Sequence, residues 1–343
     1  MQKKWWLCYA TDFQSLMYPC FICCRIFGIF PYKFNTSTFE ISKPRHILST
    51  VVICVCCVIN LSFIYDIISK MYLGEVTINL HFLIYYVTCS SIVISTNILS
   101  VPRMRLLQTI LEISSKVPQE SYQKLSRFIH VKDILGITLK FVQIYTNFSK
   151  IQKLQLNFFL IAVVRTYFAL LVYQTNMLYI NCVCILKACL KNINDNLMHM
   201  QRLKLNNTKI CIPMFIYRVQ KKQLLLMELK NLRKRHLIIG NAVQKLNIIF
   251  SLQLLATLVM TLSAITFALY FRVIHWQNGI FISLDKHFLD VLSASLIYNF
   301  VIIILLIWAC ETGKNQAQEI STTIYDLFNS TNDKKIKYEV VKL

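Results

Sequence analysis

QKKQLLLMELKNLRKRHLIIGNAVQKLNIIFSLQLLATLVMTLSAITFALYF, residues 220–271, divides at Lys245 into two unlike halves. Upstream, lysines and arginines alternate with leucines at near-helical spacing. Downstream, the 26 residues 246–271 carry no charge at all. A helix that crosses the bilayer core needs about 20 apolar residues. The downstream half therefore reads as a membrane span, and the upstream half as its basic, water-facing extension.

Working outward, comparable apolar stretches lie at 47–68, 76–101, 156–182 and 287–310. A weaker one at 133–149 contains Lys140 and Gln143. Charge decides whether that stretch counts as a span. With six spans and a cytoplasmic N-terminus, the inner segments 1–46, 102–132, 183–245 and 311–343 hold thirty Lys and Arg, and the outer gaps hold five. Without the weak span the most basic loop would face outward. Basic residues collect on the cytoplasmic side, so the reading is an all-α, polytopic membrane bundle with the N-terminus inside. Segment 1–46 is cytoplasmic, 47–310 is the transmembrane bundle, 183–245 is a cytoplasmic helical extension of the fourth and fifth spans, and 311–343 is a cytoplasmic C-terminal segment. The formal charge of +21 then faces anionic lipid rather than nucleic acid. Only 15% of residues are charged and 56% are hydrophobic, which a soluble monomer could not hide.

The 13 cysteines all fall in spans or inner segments, so no external disulfide is expected. Cys20, Cys23 and Cys24 form a C-x-x-C-C run without a second ligand cluster, which reads as packed thiols rather than a metal site. Lipase, P-loop and zinc-protease motifs are absent, as are paired carboxylates inside a span. Neither catalysis, a cofactor nor proton pumping is therefore indicated.

One charge lies deep in the hydrocarbon. Arg165 sits about ten residues into the fourth span, where a cation normally faces a bundle interior or a cavity. Three readings stay open for it: structural pairing with a polar neighbour, contact with a ligand, or snorkelling from a misplaced span. Tyr85, Tyr86, Tyr167 and Tyr173 fall on nearby turns, and Phe267 and Tyr270 end the fifth span on its outer side. They serve either as interfacial anchors or, with Arg165, as an aromatic-lined pocket for a small molecule. Of the N-x-S/T sequons at Asn35, Asn60, Asn147, Asn206 and Asn329, only Asn147 lies at an outer edge and is a glycosylation candidate.

Four segments resemble one family, the insect gustatory receptors. SLMYPCFICCRIFGIFPYKF, with its Gly-x-x-Pro-Tyr turn at Gly28, Pro31 and Tyr32, resembles the stretch before that family's first span. ILKACLKNINDNL resembles the extension after the fourth span, LRKRHLIIGNAVQKLNIIFSLQLL the entry to the fifth, and WACETGKNQAQEISTTIYDLFN the stretch after the sixth. The resemblance implies a plasma-membrane taste receptor, a tetrameric ligand-gated cation channel opened by a small-molecule tastant. The family's seventh-span mark, Thr-Tyr followed by Gln-Phe, is not found. That departure implies a chain carrying six spans of an expected seven, stopping before the pore-lining one and unable to conduct alone. An insect odorant receptor subunit would share this topology. A G-protein-coupled receptor would place its N-terminus outside, against the charge count.

Overall fold

The computed structural model describes residues 9–35, 38–71, 76–148, 156–206, 215–277, 286–331 and 333–342. In chain order these form α1 (Phe13–Ile26), β1 (Tyr32–Asn35), β2 (Thr38–Ile41), α2 (Lys43–Met71), α3 (Val76–Ile98), α4 (Ser100–Ser114) and α5 (Gln119–Phe148). After these come α6 (Leu156–Asn206), α7 (Phe215–Gln277), α8 (Lys286–Asn329) and α9 (Lys334–Val341).

At 1.5 Å per residue the 51 residues of α6 run about 75 Å and the 63 of α7 about 95 Å, far beyond a bilayer core of roughly 30 Å. The apolar halves of these helices thus continue without a break into the polar extensions expected from the sequence. In the extensions, Leu186, Leu190, Ile193, Leu197 and Leu232 are buried, whereas Leu224 and Met227 stay exposed.

Among the described residues five helical stretches are long and apolar enough to cross a membrane: Lys43–Ser69, Asn79–Ile98, Ala162–Arg202, Gln223–Val273 and Ser293–Asn329. Burial sorts them. The most apolar window of α6 is 83% buried and that of α2 only 17%, so α6 is the central post and α2 stands at the lipid-facing rim. The sixth expected span, 133–149, lies within α5 but does not reach that standard of apolarity. Its charges explain why. Lys132 and Lys140 are buried toward the bundle, and Lys132 pairs with Asp133. Phe128, Val131, Ile134, Leu135, Phe141, Val142 and Tyr145 are instead exposed. They recur at three- and four-residue steps and so share one face. Averaging along the sequence mixes the two faces and hides the apolar one.

The bundle is all-α, with one small element added before α2. Strands β1 and β2 pair antiparallel, with Tyr32 opposite Ile41 and Phe34 opposite Phe39. Helix α1 before them opens on a capping box: Asp12 Oδ1 accepts from Ser15 N at 2.8 Å, and Ser15 Oγ accepts from Asp12 N at 3.2 Å. It closes on Gly28, whose φ of +72° only glycine adopts freely. Ile29 N donates to Cys24 O at 2.8 Å and Gly28 N to Arg25 O at 3.2 Å, the paired bonds of a Schellman end. Phe21, Phe30 and Phe39 then pack together, with Phe21 and Phe30 stacked at 4.6 Å and Phe39 edge-on to both. The segment is thus a packed plug rather than a tail. Cys20 and Cys24 are buried within it, each sulfur 3.3 Å from Gln174 Nε2 of α6.

Polar side chains pin the post to its neighbours. Asn176 Oδ1 accepts from Gln253 Nε2 and Thr257 Oγ1 of α7, both at 3.2 Å. Asn181 Nδ2 donates to Asp133 Oδ2 of α5 at 3.0 Å, and Tyr173 Oη donates to the Asp133 carbonyl at 2.9 Å. Tyr173 can come so close because Gly136 faces it: a Cβ there would lie 2.7 Å from the Tyr173 hydroxyl. Burying such groups is tolerable only when they are paired.

Candidate functional site

Arg165 stands near the start of the post, and α3 wraps it in rings. The Arg165 Cζ lies 5.5 Å from the centre of Phe82 and 5.6 Å from that of Tyr85, both cation–π distances. The Tyr85 hydroxyl donates to the Arg165 carbonyl at 3.2 Å. One turn before Tyr85 on α3, His81 packs at a tilt of 55° against Phe267 of α7 with ring centres 4.9 Å apart. The His81 Nδ1 is buried and has no hydrogen-bond partner. His81, Phe82, Tyr85, Arg165 and Phe267 therefore form one cluster where α3, α6 and α7 meet.

A second cation lies deeper. Lys140 Nζ donates to Gln143 Oε1 at 2.8 Å and sits 4.0 Å from the centre of the Tyr298 ring. Gln143 in turn donates to Ser295 Oγ of α8 at 3.3 Å. Arg165 and Lys140 both stand within electrostatic reach of the Cys89 thiol. Neither makes an ion pair among the described residues. The interior where α3, α5, α6, α7 and α8 meet thus holds aromatic rings beside two cations, neither of them ion-paired among the described residues.

Not every residue singled out in the sequence joins this cluster. Tyr85, Arg165 and Phe267 do. Tyr86 turns the other way, against Phe63 of α2 at 5.7 Å. Tyr167 leaves the cluster as well, and its hydroxyl donates to the Phe27 carbonyl of the N-terminal plug at 3.1 Å. Tyr173 lies two turns further along α6, fixed to α5 at Asp133. Tyr270 stays 44% exposed beside Phe271 and fits the anchoring alternative. The side chain of Asn147, near the end of α5, lies outside the described residues. His81 and Phe82 were missed. The signal was present, since an ionisable side chain inside a span is a site candidate by default, but His81 passed as part of an apolar run.

A cleft of about 270 Å³ between α4, α6 and α7, rimmed by Glu112, Lys116 and Arg235, lies far along α6 from the cluster and contributes nothing to it. No group of three or more metal-ligating side chains occurs among the described residues.

A central post ringed by long apolar helices, with an aromatic and cationic cluster inside, defines a multi-pass membrane helical bundle. The sequence matches the family model of the 7tm chemosensory receptors over residues 17–341, and the chain belongs to that family. It is a family of receptors, not of enzymes. The fold is similar to that of the insect olfactory receptor OR5 from Machilis hrabei, at 13% identity and a TM-score of 0.64, covering 94% of this chain and 84% of that one. The same receptor in complex with eugenol matches with a TM-score of 0.65, the same identity and the same coverage. No curated protein matches the sequence.

Proposed function

We propose that this chain is the ligand-sensing subunit of an insect chemosensory receptor of the plasma membrane, and that the α3–α6–α7 cluster holds the ligand. One observation carries the reading: the Arg165 guanidinium is held between two rings with no anionic partner, beside a buried His81 nitrogen that bonds to nothing. A small aromatic molecule with an acidic or hydrogen-bond-accepting group satisfies both at once. The rings take its apolar body and Arg165 takes its oxygen.

The solved relatives are olfactory receptors, one of them bound to eugenol, and this supports the odorant side of the reading over the gustatory side. Assembly with further subunits has separate support. Leu224 and Met227 are exposed on the polar part of α7, Tyr325 on that of α8, and Tyr338 and Val341 on α9. Exposed apolar surface of that kind marks a protein contact.

The test is a thermal-shift screen of the chain in lipid nanodiscs against benzoate, a phenol, the neutral methyl ester and benzylamine. Benzoate and the phenol should stabilise most and benzylamine least. Arg165→Gln should weaken benzoate roughly tenfold or more, the loss of one charge-assisted hydrogen bond, and leave the ester nearly unchanged. An identical ligand ranking in wild type and variant would remove Arg165 from the site.

A further inference from the structure

A second arginine stands in a different part of the fold, and its surroundings are stranger. Arg103, on α4, is only 1% exposed and is the largest fully buried side chain among the described residues. Its Cζ lies 4.6 Å from the centre of the Phe250 ring on α7. Its Nη2 donates to Gln253 Oε1 at 3.5 Å, a long and weak bond. Its Nε and Nη1 are buried and bond to nothing. Across from it the Tyr32 hydroxyl of β1 is also buried and, beside Ser100, completes no hydrogen bond of full geometry.

The donor count is unbalanced. A guanidinium offers five N–H donors, and among the described residues Gln253 Oε1 is the one acceptor that meets any of them. The other end of Gln253 is committed to Asn176. The sulfurs of Cys24 and Cys182 are within electrostatic range but accept no hydrogen bond from it. No carboxylate among the described residues pairs with it. Burial pushes the Arg103 guanidinium down to about 10, so it remains cationic at neutral pH. Burying an uncompensated cation costs several kcal/mol, and water supplies acceptor atoms but no counter-charge.

We propose that Arg103 and Tyr32 bind a small monovalent anion of the halide class at the junction of the β1–β2 pair, α4 and α7. The anion accepts from Nε, Nη1 and the phenol together. Three elements distant in sequence meet there, so it ties the plug onto the bundle. The site lies apart from the Arg165 cluster and does not depend on the ligand reading.

The chain, purified in detergent at constant ionic strength, should unfold at a temperature that rises and saturates as bromide replaces gluconate. A ³⁵Cl resonance should broaden on adding the chain and sharpen again on adding bromide. Arg103→Gln should abolish the saturating response, and Tyr32→Phe should raise its midpoint roughly tenfold. The net charge of +21 attracts halides generally, so a response that survives in Arg103→Gln overturns the proposal, as does the lack of any saturating response in wild type. If Arg103→Gln does not fold, Tyr32→Phe decides, and an unchanged midpoint there rejects the site.

Discussion

Single residues hold the bundle at its tightest turns. Gly28 sits at φ +72°, and a Cβ there would also meet Ser49 Oγ at 2.9 Å, whose hydroxyl donates to the Gly28 carbonyl at 2.6 Å. Gly28→Ala therefore incurs both a backbone and a steric penalty. It should cost more than about 1 kcal/mol of stability, read as a lowered unfolding temperature. An unchanged temperature would show that the turn relaxes freely. The Gly-x-x-Pro-Tyr pattern around Gly28 was marked in the sequence only through the family resemblance, and its physical reason, a φ that favours glycine, comes from the structure. The direction of Tyr86 and Tyr167 was not legible there. Adjacent helical residues point about 100° apart, so Tyr85 and Tyr86 cannot both face Arg165, and one sequence does not say which does. His81 was hidden for a related reason: its partner Phe267 lies 186 positions away along the chain and is brought to it only by α3 packing on α7.

Elements were legible wherever one property dominated a whole stretch. The spans in α2, α3, α6, α7 and α8 were visible because their lengths of apolar chain leave no other home. The β1–β2 pair was not, because four-residue strands in an aromatic segment carry too short a pattern to separate from a helix. Helix α5 is the instructive case. Its hydropathy is diluted by Lys132, Asp133 and Lys140, yet its outward face from Phe128 to Tyr145 is apolar. Such a helix is inverted relative to a soluble one, which supports a sixth crossing. Phe141→Asp tests this. If the face meets lipid, a carboxylate at the centre of a span costs about 2.5–3.5 kcal/mol, and surface expression should collapse. If it meets water, the change should stay within about 0.5 kcal/mol. Normal expression and stability of Phe141→Asp would leave five crossings in place of six.

At the scale of the whole molecule, orientation decides what the cluster can sense. Arg165 lies near the start of α6, while the basic extensions of α6 and α7 lie at the opposite end of the same helices. On a six-span count with thirty Lys and Arg on one side and five on the other, we propose from the positive-inside rule that the extensions lie in the cytoplasm and the Arg165 cluster opens toward the outside. Sugar attachment reads this directly, since only external sequons are modified. Tags placed in 149–155 and in 278–285 should gain a glycan in microsomes. Tags at the N-terminus and in 207–214 should gain none. An even number of crossings between the N-terminus and 207–214 is required for that result, so the same experiment also counts α5. Without α5 as a span, the tags at the N-terminus and in 207–214 would fall on opposite sides and one of them would be modified. A glycan on both would invert the protein, turn the cluster toward the cytosol, and leave an external odorant no route to Arg165.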